Sequence, residues 1–474
     1  MSTTPDGGPG VVPEIHDLAT RLAGTVVEPS DPSYDEARRV WNGMIDVRPR
    51  AVVRAGSPDD VDLVVAAARR ADLPLAVRGG GHNVAGHGTV EGGIVLDLGA
   101  LDEVNVDPDR RLVTAGPGAT LVDVDAATAP HGLAVPIGVI GATGIAGLTL
   151  GGGIGWLTHS DGLTADHLVA ADLVTAAGEH LHVDDTTHPD LLWGLRGGGG
   201  NFGVVTSFTF RARPLASPVY AGNRVYHRPR WPAARRALAE WTGGGLPDEM
   251  NVIATFLAPP PMLELGDDTV FIIGFAWASP DHDAGRALVD RLVAQAPPDV
   301  DEIGPVPWTQ WQTAMDPVFP KGSRGYWKNL SFSTLDEAVI DVLVSHAEEV
   351  TWLGTGIDIH HMEGAFGRVP EDATAFPNRS ARYWLNIYGF WQDPADDERL
   401  TAFARRLHAA MLPFAEQGEY VNFLGTEDAG SAGSADDRAR TSYGEATHRR
   451  LVELKNRYDP DNVFRGNHNI VPTP

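Results

Sequence analysis

The sequence predicts an α+β protein of two domains, and three observations carry that reading. Residues up to about 214 alternate short strand-like runs with helical stretches. Pro214 and Pro218 then interrupt the alternation. Beyond them, strands alternate with longer amphipathic helices, the pattern of an antiparallel sheet covered by helices on one side. With 474 residues, 43% of them hydrophobic, the chain can bury more than one core without staples.

Residues 1–12 are polar and rich in Gly and Pro and read as a disordered lead. Residues 15–22 have helical spacing. Ala51–Arg54 reads as a strand. Ser57 then caps a helix through Ala71, with Asp60 three residues on as an acidic capping box. Strands follow at 74–78, 94–98, 104–106 and 112–115, and a helix near 121–131. Residues 169–175 and 180–183 form a hairpin around Ala177-Gly178. A strand runs through Phe210. In the second half, strands at 251–256, 270–276 and 382–391 are interleaved with helices at 233–242, 283–295, 335–349 and 396–414. Pro232 marks a favoured helix start. Residues 426–437 form a Gly/Ser/Asp loop. The tail has a helix to about Tyr458, a turn at Asp459-Pro-Asp-Asn462 and a short apolar strand.

The composition excludes several chemistries. There is no cysteine, so no disulfide, thiolate-bound metal or thiol nucleophile exists. The formal charge of −26 argues against nucleic acid and anionic membranes as partners. No apolar run reaches about 18 residues, so no membrane span is expected. The N-terminus lacks a signal peptide's basic-then-apolar order, and a cytoplasmic location is the expectation.

The most informative segment is Arg78-Gly-Gly-Gly-His-Asn83, directly after a strand. Three glycines let a backbone curl tightly and press its N–H groups on an anion, with an imidazole at the mouth. Residues 138–155 hold eight glycines interleaved with apolar side chains, which marks close backbone approach rather than a linker. Arg196-Gly-Gly-Gly-Gly-Asn-Phe-Gly203 is a third cluster. None sits in the strand–GxGxxG–helix order of a dinucleotide fold. His360 and His361 are adjacent and on a strand point apart, so they and His87 read as structural histidines and no metal site is expected. A GxSxG elbow is absent.

These clusters, in this order, together with the tail Tyr458-Asp-Pro-Asp-Asn-Val-Phe-Arg465, resemble the berberine-bridge-enzyme-like FAD-linked oxidases of the vanillyl-alcohol-oxidase type, across about residues 40–472. The resemblance implies a PCMH-type FAD-binding domain over 13–214, a substrate domain over 215–438, and a segment, 439–474, returning to the first. It implies FAD bound by Arg78, Gly79, Gly80, Gly81, His82 and Asn83. It adds Gly138, Thr143, Gly144, Gly147, Leu148, Gly152, Gly153 and Gly155 from the second cluster, with Val205 and Asn469. His82 matches the histidine that bonds covalently to the flavin 8α carbon. Many relatives add a cysteinyl link at the position of Ile140; without cysteine the link here is single. Thr143 matches a position that gates oxygen access.

The family's Tyr-x-Asn-Tyr motif reads Tyr420-Val-Asn-Phe423, so the usual catalytic tyrosine is Phe423, which cannot take a proton. On a strand, Tyr420 and Asn422 would face away from Phe423. The catalytic candidates are Tyr420, Asn422, Asn386 (on the strand face shared with Trp384 and Tyr388), Tyr326 with Lys328 as a cation beside a phenol, and Tyr443. The implied reaction takes hydride from a C–H next to O or N of a small alcohol, sugar or secondary metabolite to flavin N5, with dioxygen as acceptor and hydrogen peroxide as product. A dehydrogenase with another acceptor, a nicotinamide-dependent reductase and a flavin-binding protein without turnover are the alternatives.

Overall fold

The structure, a computed structural model, describes residues 13–350, 354–425 and 435–473. The expected lead at 1–12 and most of the expected loop at 426–437 lie outside the described residues; Ala435–Tyr443 is helical.

Among the described residues three larger sheets organise the chain, beside a two-stranded pairing of Leu133–Ala134 with Arg213–Pro214. The first is small and partly parallel, in the order Thr25–Val27, Ala51–Arg54, Ile94–Asp97, Leu75–Arg78. Its parallel strands read as apolar runs because both faces are buried. The helix Asp59–Arg70 crosses between two of them and packs Val61, Val64 and Val65 on Val53, Ile94 and Leu96. The expected capping box does not form here: the helix has no side-chain cap. The Asp60 carboxylate instead accepts from the N–H groups of Ala23, Gly24 and Gly56 at 2.7–2.9 Å and pins an incoming loop. The second sheet is antiparallel, with Val204–Arg211 central and the expected hairpin, Leu168–Val174 with His180–Asp184, at one edge.

The third sheet has seven antiparallel strands, in the order Val300–Val306, Val219–Tyr226, Val270–Trp277, Met250–Leu257, Gly356–His361, Tyr383–Trp391, Arg324–Phe332. The helices Trp231–Gly243, His282–Gln295, Glu337–Ala347 and Asp397–Met411 bury their apolar stripes against one face. Period-two alternation divides the strands. In Tyr383–Trp391, Tyr383, Leu385 and Ile387 enter the helix-covered core, while Asn386 and Tyr388 face the other way, toward the cavity described below.

The tail packs on the second sheet's core through Leu451, Leu454 and Tyr458 of the helix Glu445–Tyr458. The expected apolar strand after it is absent; residues 466–473 carry no regular structure. Side-chain bonds hold this stretch instead. Asn201 accepts from the Ile470 N–H at 3.0 Å and donates to the His468 carbonyl at 3.3 Å. Lys455 and Asp459, both 0% exposed, pair at 2.7 Å. The Lys455 ammonium also donates to the carbonyls of Asn201 and Phe464, and Asp459 accepts from the Val463 and Phe464 N–H groups. Asp459→Ala strands a buried ammonium and should cost about 3–5 kcal/mol, read as a lower urea midpoint at unchanged slope.

Candidate active site

A cavity of about 310 Å³ lies between the glycine loops of the first two sheets and the open face of the third. The glycines are there because the loops touch backbone to backbone. A Cβ on Gly80 would lie 2.5 Å from the Gly144 nitrogen, and one on Gly144 would lie 2.4 Å from the Gly80 nitrogen. Gly81 holds φ at +66°, a conformation costly for other residues. The wall is therefore bare main chain, contributed by Gly79, Gly80, Gly81, Gly138, Gly144 and Gly147, with Gly199 and Gly200 from the third cluster. Gly80→Ala should push the two loops apart. The expected result is loss of most bound flavin, read as the visible-to-280-nm absorbance ratio, with an unchanged far-UV spectrum.

Asn83, Thr143, Leu148 and Val205 also line the cavity, as does Ile140. Among the described residues Arg78 is the one Arg or Lys on the lining, and its guanidinium is committed elsewhere: it donates to Asp97 at 2.8 Å and to the Ala37 carbonyl at 2.7 Å. It braces the loop and leaves the surrounding wall to main chain. Four expected cofactor residues are off the cavity. Gly152, Gly153 and Gly155 are glycines for packing: a Cβ would meet the Phe376 ring, the Thr164 hydroxyl and the Ile137 carbonyl respectively. Asn469 is also off the lining, while Gly466, Asn467 and His468 from the same tail are on it.

His82 stacks on Trp41 with ring centroids 4.9 Å apart and planes at 28°. Its Nε2 is enclosed without a hydrogen-bond partner among the described residues. Burial brings its pKa down to about 4, so the imidazole is neutral at neutral pH. Trp41 in turn meets Trp327 and Phe390 edge-on, joining the loop to the third sheet.

The substrate-side expectations are partly corrected. Residues 421–423 form a 3-10 turn, not a strand, so Tyr420, Asn422 and Phe423 all reach the same cavity instead of dividing between faces. The Tyr420 hydroxyl accepts from the N–H groups of Gly153 and Ile154 and from Asn422 Nδ2 at 3.0–3.3 Å. Burial raises its pKa despite these donors, and it serves as a brace for the glycine segment. Tyr326 and Lys328 are off the cavity: strand alternation turns Tyr326 into the helix-covered core with Leu330 and Phe332, Lys328 lies in register with it, and Trp327 takes the open face. Asn386 and Tyr443 do line the cavity, and burial raises the Tyr443 phenol.

Several cavity residues were not among the candidates, Asp358, His360 and His87 among them. Asp358 projects from Gly356–His361 and accepts from the Tyr388 hydroxyl at 3.3 Å. Burial lifts its pKa to about 7 and sends the Tyr388 phenol well above its ordinary value. His360, two residues on, shares that face, and neither ring nitrogen has a hydrogen-bond partner among the described residues. Burial lowers its pKa to about 4. His87 also lines the cavity, edge-on to His468 at 4.7 Å. The structural reading of His87 and His360 is thus replaced by a place on the cavity wall. Period two within Gly-Ile-Asp-Ile-His-His already pairs Asp358 with His360 and was the available signal.

A family model for an FAD binding domain matches residues 49–184, and one for berberine and berberine-like proteins matches 419–471. An FAD-linked oxidoreductase of Pyricularia oryzae is 30% identical over 456 residues, covering 89% of this chain and 83% of the relative. The chain belongs to the berberine-like FAD-linked oxidoreductases. Within the family, (R)-6-hydroxynicotine oxidase of Paenarthrobacter nicotinovorans is 29% identical, covering 96% and 98% of the two chains. The glucooligosaccharide oxidase of Acremonium strictum shares the fold, with a TM-score of 0.84 at 22% identity, covering 97% and 100%. The protein is an FAD-linked oxidoreductase with the PCMH-type α+β architecture, and the bare glycine wall, neutral His82 and orphaned polar atoms of the cavity fit that cofactor.

Proposed function

We propose that this oxidoreductase is an oxidase whose FAD is held through a single covalent bond to His82. The observation that carries the reading is one cavity with His82 on the glycine side and the Asp358–Tyr388 pair on the sheet side. When bound, FAD supplies a two-electron acceptor for hydride from a C–H next to O or N, and a route for those electrons to dioxygen, giving hydrogen peroxide.

The chain's own residues do the rest. Backbone N–H groups of residues 79–83 and of Gly144, Ala146 and Gly147 would hold the pyrophosphate, those of Thr143, Ile145 and Leu148 being bonded to carbonyls. His82 would hold the flavin through a C–N bond that replaces its N–H and one 8α C–H, with dioxygen as the two-electron oxidant. Asp358, as carboxylate, accepts the acidic proton of the substrate's O–H or N–H, and the Tyr388 hydroxyl donates to that carboxylate and fixes its direction. This assignment supplies a base where Phe423 cannot. Phe319, Trp327 and Phe423 give the substrate an aromatic wall, and no lysine lines the cavity among the described residues. A neutral cyclic alcohol, sugar or secondary metabolite with a stacking face fits such a wall.

The test is reoxidation of the photoreduced enzyme in air-saturated buffer by stopped flow. An oxidase recovers the oxidised spectrum within the turnover time with stoichiometric peroxide. Reoxidation far slower than turnover with an artificial acceptor assigns the protein to the dehydrogenases.

A further inference from the structure

A second cluster lies off the cavity, where the short helix Thr158–Asp161 meets the end of the strand Gly356–His361. His159, His361 and Glu363 each place one ligating atom within 4.8 Å of the others. His159 and His361 are 2% and 4% exposed. Their rings stack at 5.0 Å and 24°, and His361 Nε2 is 3.0 Å from Glu363 Oε2.

The surroundings prepare the donors. His159 Nδ1 is 3.1 Å from the Asp248 carbonyl, which fixes its proton there and leaves Nε2 as a lone pair. That Nε2 is buried without a hydrogen-bond partner among the described residues, as is His361 Nδ1. Arg382 Nε lies 2.6 Å from the far oxygen of Glu363, so an ion pair occupies that oxygen and leaves the near one toward His361. Gly364, at φ +60°, lets the chain turn directly over His159, where a Cβ would sit 2.9 Å from Nδ1. A second-sphere carbonyl on one imidazole, orphaned ring nitrogens and a carboxylate, with ligating atoms within 4.8 Å of one another, are the parts of a metal site with nitrogen and oxygen ligands.

We propose that His159, His361 and Glu363 bind one divalent transition-metal ion of the zinc class, tying the glycine-segment helix to the substrate sheet. Two imidazoles and one carboxylate suit such an ion and not calcium or magnesium, which take oxygen ligands. The strand it would anchor carries Asp358 and His360 on the cavity wall, so the ion would hold that wall without touching the reaction. The expectation of no metal rested on His360 and His361 facing apart. His361 instead meets a histidine from a distant part of the chain.

The experiment uses flavin-loaded protein stripped with a chelator and dialysed. The expected result is one equivalent of Zn²⁺ by calorimetry, visible d–d bands on Co²⁺ addition, and a higher melting temperature with Zn²⁺. Glu363→Gln and His159→Gln should each weaken Zn²⁺ binding by about tenfold or more while keeping the wild-type flavin spectrum. Wild-type protein that takes up no Zn²⁺ above a buffer blank overturns the proposal. So does binding unchanged in both variants, which would place the ion elsewhere. If His159→Gln fails to fold, the half-exposed Glu363→Gln decides alone.

Discussion

His82→Ala releases the flavin. Wild-type protein precipitated with acid should keep its yellow colour in the pellet and gain the mass of FAD on the intact chain. The variant should leave its flavin in the supernatant. The physical ground is the state of the ring: burial brings its pKa down to about 4, so the imidazole is neutral and nucleophilic at neutral pH, and it stacks on Trp41. A histidyl substituent withdraws electrons and raises the flavin potential. For a two-electron couple, each loss of about 30 mV is a tenfold change in equilibrium. Variant protein reloaded with FAD should therefore show a lower potential by dye equilibration and slower substrate reduction. Wild-type flavin recovered wholly in the supernatant would refute the link and leave the FAD assignment standing.

The cofactor side of this site was legible because it is made of backbone. A wall of main chain demands glycine, glycine clusters show in a sequence, and Gly79, Gly80 and Gly144 are where loops must touch. The same signal over-reached at Gly152, Gly153 and Gly155, because glycine marks close approach without saying to what. The substrate side was less legible because side chains there are chosen by strand phase and by tertiary neighbours. Tyr388 was readable by alternation along Tyr383–Trp391, whereas Tyr326 required knowing which face the helices cover. Reading residues 420–423 as extended separated Tyr420 from Phe423, and a 3-10 turn reunites them. At Ser57 and Asp60 local capping logic lost to a tertiary demand, three N–H groups of a neighbouring loop and turn.

Asp358→Asn should lower kcat by about 10²–10⁴-fold without changing flavin content. A buried carboxylate with its pKa at about 7 is poised as a base, and the amide cannot take the proton. The sign of the pH dependence follows. Only the carboxylate accepts, so the rate rises with pH through about 7 and levels above it; the Tyr388 phenol, held far above its ordinary value, stays protonated and adds no alkaline limb. Tyr388→Phe removes the hydroxyl that favours the carboxylate. Its rate loss should be smaller, and its acidic limb should move to higher pH, a shift that mere loss of packing would not produce. Stability must move the other way. The unfolded chain releases this proton near the ordinary aspartate value of 3.8, whereas the folded chain keeps it up to about 7. Folding therefore loses stability as pH rises across that interval. Asp358→Asn escapes that loss and should melt higher than wild type at pH 8, with the difference vanishing at pH 4. Equal melting at both pH values would mean that the carboxylate is not held against its own charge, and the proton would then have to leave by His360 or Tyr443 instead.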